Sequence, residues 1–163
     1  MSARAFWARI GAGTALAVTL TLVLEPPQPD KHVSFPLSLV AGLIAGAALF
    51  AAAARRRPSF RRRPARKSVV VCRQLFLGLC AANEELLWRR LLLGELLVTG
   101  PLVALALSSA GFAIAHRRAC ALHAGTGSAF GAVYLATGFL GASIAAHWAY
   151  NTLVAGLFER GPP

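Results

Sequence analysis

The stretch "VSFPLSLVAGLIAGAALFAAAA", residues 33–54, is twenty-two residues long and carries no charge. A helix needs about 20 apolar residues to cross a hydrocarbon core of about 30 Å. The stretch therefore reads as a transmembrane helix, and it sets the frame for what flanks it. The 163-residue chain is 56% apolar, with a mean hydropathy of +0.59, which exceeds the usual apolar content of a soluble domain while fitting a single domain in length.

Upstream, Ile10 to Leu24 is apolar, and Arg4 and Arg9 can snorkel to the headgroups, so a span from about Ala5 to Leu24 is expected. A cleaved signal peptide would need a small-residue cleavage site before Glu25-Pro26-Pro27; no convincing one is present, and the segment reads as a retained helix. Downstream, "RRRPSFRRRPARK", residues 55–67, holds eight of the seventeen Lys and Arg and no acid. Short basic loops stay cytoplasmic, so this loop reads as a topology signal and a contact for anionic lipid. The same rule places the N-terminus inside and Pro26 to His32 in a short outside turn. Because the net charge of +11 is concentrated beside a span, it points to the bilayer and away from nucleic acid as a partner. Cys72, Cys80 and Cys120 have neither metal-ligand spacing nor an even count, and read as packing residues.

Beyond the loop the chain is apolar again, with breaks at Thr99-Gly100-Pro101, Arg117 to Gly127 and Gly138 to Gly141. Helices are expected at about 68–98, 101–116, 127–138 and 141–158. The predicted fold is all-α, a polytopic transmembrane bundle of about six helices. It divides into two N-terminal transmembrane helices (1–54), the basic cytoplasmic loop (55–67) and a helical bundle (68–158), with the whole an integral protein of the cytoplasmic (inner) membrane. Small residues from Gly125 to Ala132 and from Gly141 to Ala146 suit close helix contacts in lipid. No paired half-helices or inverted repeats of the transporter kind are visible.

Against this background "ANEELLWRR", residues 82–90, stands out. Between Val33 and Phe158 the only acids are Glu84, Glu85 and Glu95. An ionisable residue inside a membrane is expensive and marks a functional site by default. Glu85 and Arg89 are four apart in the favourable order for a helical ion pair, which gives them a supporting role. Glu84 points about 100° away on the helix, and no basic residue lies three or four positions after it. Partners for it must come from other helices. His116 ends "FAIAH", and His147 and Asn151 in "HWAYN" are four apart on one face. In straight helices Glu84 lies roughly 24 Å along a helix roughly 45 Å long, and His116 returns roughly 22 Å from the far end, so the two reach similar depth. His32 and His123 fall in expected loops and receive no role.

A carboxylate in an apolar cavity suits a general base, because burial disfavours its charged form. Glu84 would take a proton from water, His116 would share or relay it, and the attacking oxygen would add to a carbonyl. His147 and the Asn151 amide would stabilise the oxyanion. This hydrolysis needs no nucleophilic side chain, cofactor or metal. A metal site is disfavoured by the lack of HExxH and by candidate ligands spread over three helices. A serine mechanism is disfavoured because Ser143 and His147 share one helix.

Glu84-Glu85-x-x-x-Arg89, Phe112-x-x-x-His116 and His147-x-x-x-Asn151, in this order inside apolar helices, resemble the CPBP family. These are the CAAX-protease and bacteriocin-processing (Abi) group of glutamic intramembrane proteases. The likeness covers about residues 80–156, including "LALSSAGFAIAH" and "YLATGFLGASIAAHWAYN". It implies a membrane bundle in which Glu84 and His116 activate water while His147 and Asn151 hold the oxyanion. Members include prenyl-protein endoproteases, bacteriocin-maturation or self-immunity proteins, and compact myxosortase-type enzymes. The expected partner is a membrane-anchored or membrane-associated protein or peptide substrate. This chain departs from the family in carrying Arg90 where Gly is common and in its short length; Arg90 is expected to reach an interface or a substrate. The rival reading is a non-catalytic bacteriocin-immunity or scaffold protein whose polar residues only hold helices together.

Overall fold

The computed structural model describes residues 3–54, 67–117 and 119–157. The basic loop at 55–66 lies outside the described residues. Six helices account for the described chain, with no strand among them: α1 (Ala3–Leu24), α2 (Phe35–Ala54), α3 (Lys67–Glu85), α4 (Pro101–Ala115), α5 (Cys120–Thr137) and α6 (Leu140–Leu157). The all-α bundle read from the sequence is the fold observed.

Among the described residues, Phe35–Ala54 is the one helix long and apolar enough to cross a bilayer by length and composition. Its mean hydropathy is 2.2 and only 17% of that window is buried in the protein, so most of it faces outward. Ile10–Leu24 and Pro101–Ala115 are shorter apolar segments. Leu22 on α1, Leu43 and Ile44 on α2, Leu75 on α3 and Leu102 on α4 all point outward. Such apolar exteriors suit a hydrocarbon solvent.

α2 lies against α6 along its length, and the reason is the absence of side chains at Gly42 and Gly46. A Cβ at either position would collide with a backbone carbonyl of α6, that of Ala142 or of Ala146 respectively. Small residues four apart let two backbones approach closely, which is how helices associate where the hydrophobic effect between them is absent. Two apolar clusters fill the rest. Leu93, Ala104 and Tyr134 pack together with Leu97 and Leu105, and Phe130, Ala146 and Tyr150 pack with Leu49 and Phe50.

Two expectations about helix boundaries are corrected. The helix expected at 68–98 is not a uniform α-helix: α3 passes at Leu86 into a π-helical segment, Leu86–Leu93, then a short α turn, Gly94–Leu96, and a 3-10 turn, Leu97–Thr99. The wider π turn brings Arg89, Leu91 and Leu93 all to the interior. π-Helical turns inside α-helices are frequent at functional sites. The other correction concerns α5, which starts at Cys120 rather than near 127. Gly125 and Gly127 read as breakers, yet Gly127 lies inside the helix because its bare Cα admits Phe112, whose ring would stand 3.1 Å from a Cβ there. His123, expected in a loop, is consequently on a helix.

The turn between α1 and α2 is pinned to the bundle. Arg90 donates hydrogen bonds to the carbonyls of Pro26 and Pro27, Gly94 packs beneath the same prolines, and Lys31 lies 5.3 Å over the Phe139 ring. Arg90, expected at an interface or substrate, is thus an internal tie between the N-terminal hairpin and the π segment.

Candidate active site

The glutamate pair ends α3, immediately before the π segment, and its two carboxylates go to different places. Glu85 is fully buried. Its Oε2 lies 3.3 Å from Nε of Arg89, which is equally buried, and its Oε1 lies 2.8 Å from Nδ1 of His147. Ser143 Oγ bonds the same Oε2 and also the Phe130 carbonyl at 2.9 Å. Arg89 is anchored at its other end, where Nη2 donates to the Gly127 carbonyl at 2.9 Å. A buried ion pair needs partners for its remaining polar atoms: α5 and α6 supply them for Glu85 and for Arg89 Nη2, while Arg89 Nη1 has no hydrogen-bond partner.

Glu84 approaches the other nitrogen of the same His147 ring and remains 32% exposed. Its Oε2 sits 3.7 Å from His116 Nε2 and 3.8 Å from His147 Nε2. Each imidazole is fixed through its other nitrogen. His116 Nδ1 is 2.8 Å from the Phe112 carbonyl, one turn back on α4, and a carbonyl can only accept, so that nitrogen carries the proton. His147 Nδ1 faces the Glu85 carboxylate and is likewise the donor. In the neutral rings both Nε2 atoms therefore present lone pairs toward Glu84.

Aromatic rings wall the cluster. Phe130 stacks on His147 at 4.5 Å between centroids, and Phe112 lies 4.3 Å from His116 with the Arg89 guanidinium 5.5 Å over its face. Trp88 meets Phe112 edge-on at 5.9 Å. His116 also stacks on His123 at 4.3 Å with 24° between planes.

Of the residues expected from sequence, the structure brings Glu84, Glu85, Arg89, His116 and His147 together from three helices. Asn151 is half-buried one turn beyond His147 on α6 and is not joined to the others by a hydrogen bond. Sequence reasoning missed the role of Ser143, which it weighed only as a nucleophile, although its position four residues before His147 on one helix was legible. It also missed His123, for which no local signal existed: the chain reaches it from His116 through two residues of positive φ, Arg117 at 42° and Ala119 at 56°. Among the described residues, no group of three or more His, Cys, Asp or Glu is arranged to hold a metal ion.

An all-helical bundle that sets a carboxylate pair, Glu85 fully buried and Glu84 partly exposed, against two histidines defines a carboxylate–histidine site. The chain matches the family model described as type II CAAX prenyl endopeptidase Rce1-like over residues 67–153, just over half its length, and it belongs to that family, whose members are membrane-embedded endopeptidases. The matched segment contains every residue of the cluster and leaves α1 and α2 outside it. No curated protein and no solved structure matches the chain.

Proposed function

We propose that the protein is a metal-independent glutamic endopeptidase that hydrolyses a peptide bond in a membrane-anchored or membrane-associated protein or peptide. The observation that carries this reading is the Glu84 carboxylate held 3.7 and 3.8 Å from two imidazole Nε2 atoms. Those separations are too long for direct hydrogen bonds and suit a shared water. Water donates one proton to Glu84 and the other to His116 Nε2, and its oxygen lone pair is left aimed at an incoming carbonyl. Transfer of the first proton to Glu84 accompanies formation of the C–O bond.

The tetrahedral oxyanion then needs donors. His147 is neutral at rest with its Nδ1–H committed to Glu85, and it donates from Nε2 to the oxyanion after that nitrogen takes up the water proton relayed by Glu84, 3.8 Å away. The Asn151 amide is the second donor, presented from the same helix face. Collapse of the intermediate breaks the C–N bond, the relayed proton returns through Glu84 to the departing amine, and the remaining hydroxyl proton passes to His116 Nε2, leaving a carboxylate and an amine as products. Arg89 holds Glu85 in place and balances its charge.

Comparing new protein termini in membranes from cells carrying wild type and cells carrying Glu84→Gln, at matched abundance, tests this function. A terminus found only with wild type identifies substrate and cleavage site together. Identical sets of termini would leave the polar cluster a scaffold.

A further inference from the structure

Ser143 is a polar group at the heart of the site that the proposed chemistry leaves without a role. It is fully buried, and its Oγ lies within reach of two acceptors, Glu85 Oε2 and the Phe130 carbonyl at 2.9 Å. A hydroxyl has one proton to donate, and a charged carboxylate is the stronger acceptor. Arg89 Nε approaches the same oxygen at 3.3 Å. With Oε2 engaged from two sides, the carboxylate plane is fixed and Oε1 is directed at His147 Nδ1, 2.8 Å away. Ser143 and His147 are four apart on α6, so both reach one carboxylate from one helix face. A nucleophilic role fits poorly, because no imidazole faces the hydroxyl to take its proton.

We propose that Ser143 is a positioning residue: by holding Glu85 it keeps His147 in the Nδ1–H tautomer with Nε2 turned toward Glu84. Its effect on turnover rests on the endopeptidase reading; its effect on the imidazole does not. If the hydroxyl is removed, Oε2 keeps only Arg89, the carboxylate can rotate, and the Nδ1 contact loosens. Removing a hydrogen bond to a charged group in such a site lowers turnover about ten- to a hundredfold. Because the hydroxyl acts through Glu85 and not through the substrate, KM stays within about twofold.

The experiment uses the full chain with 15N-labelled histidine in lipid nanodiscs, with His147 assigned by its loss in His147→Gln. Wild type is expected to show His147 as the Nδ1–H tautomer, Ser143→Ala to show a measurable Nε2–H population, and Ser143→Thr to restore the wild-type pattern. An unchanged His147 signal in Ser143→Ala overturns the proposal. Turnover of the peptide found by the termini comparison supplies the second arm. The cost of Ser143→Ala is expected to shrink to less than about twofold in a Glu85→Gln background, since residues acting in one chain are not additive. An equal cost in both backgrounds also overturns it. Absence of turnover in wild type, together with a tautomer that responds to Ser143→Ala, would sink the endopeptidase reading and leave the positioning role standing.

Discussion

Among the described residues, Arg89 is the largest side chain that the fold buries completely, and its nearest opposite charge is Glu85 at 3.3 Å. Taking one member of such a pair away strands the other in a medium that cannot solvate it, at a cost of about 3–5 kcal/mol. Arg89→Ala is therefore expected to lower abundance in the membrane and the thermal unfolding midpoint in detergent, while Arg89→Ala with Glu85→Ala together should lose less than Arg89→Ala alone. A double variant as unstable as the sum of the singles would show that the pair does not act as one unit. His123 belongs at the same scale. It touches the site through the His116 ring and, edge-on, the Phe112 ring, and aromatic pairs contribute about 0.5–1.5 kcal/mol. His123→Ala should cost about two- to tenfold in turnover by the same measure. A loss beyond a hundredfold would mean that it handles a proton itself. At this scale the sequence was most informative: three acids in a long apolar region made the glutamates conspicuous, and helical spacing separated Glu84 from Glu85. What it could not supply was the partner of each buried atom, since Ser143, Gly127 and Phe130 carry no signature outside their three-dimensional neighbourhood.

The helices themselves show which glycines matter. Gly42 and Gly46 face α6 backbone, whereas Gly11 and Gly13 on α1 have open space where a Cβ would stand. Gly42→Ala and Gly46→Ala should each destabilise the folded protein by about 1–3 kcal/mol, because the two helices must part to admit a methyl group. Gly11→Ala and Gly13→Ala should be neutral or slightly stabilising, given that Ala is favoured over Gly in helices by about 1 kcal/mol. Thermal unfolding of the four variants in one detergent checks the contrast. Separation of α2 from α6 would also move His147, so Gly46→Ala is expected to lose turnover beyond its loss of folded protein. Helix existence was legible from apolar run length and from Gly-Pro punctuation at 99–101. The early start of α5 was hidden because a glycine that ends one helix and a glycine that lets two helices touch are the same residue in sequence. The π segment was hidden too, since no spacing rule separates it from an α-helix of the same apolar pattern.

On the scale of the whole molecule, the family match begins at residue 67, yet the fold does not divide there. α2 backs the helix that carries Ser143 and His147, and Arg90 ties the α1–α2 turn to the π segment. A protein beginning at residue 67 is accordingly expected to be lost from membranes or to lack turnover, with immunoblot abundance and termini analysis as the readouts. A stable and active truncation would show that the hairpin is an accessory. The six-helix layout was legible from the apolar runs and the breaks between them, whereas the tie between hairpin and bundle was not, because Arg90 resembles any other basic residue near a helix end. The most direct test of the mechanism is the turnover of purified, reconstituted wild type and Glu84→Gln on the peptide that the termini comparison identifies. The mechanism predicts a loss of at least about a thousandfold in kcat, with the unfolding midpoint unchanged. A Glu84→Gln protein that cleaves within tenfold of wild type would contradict it.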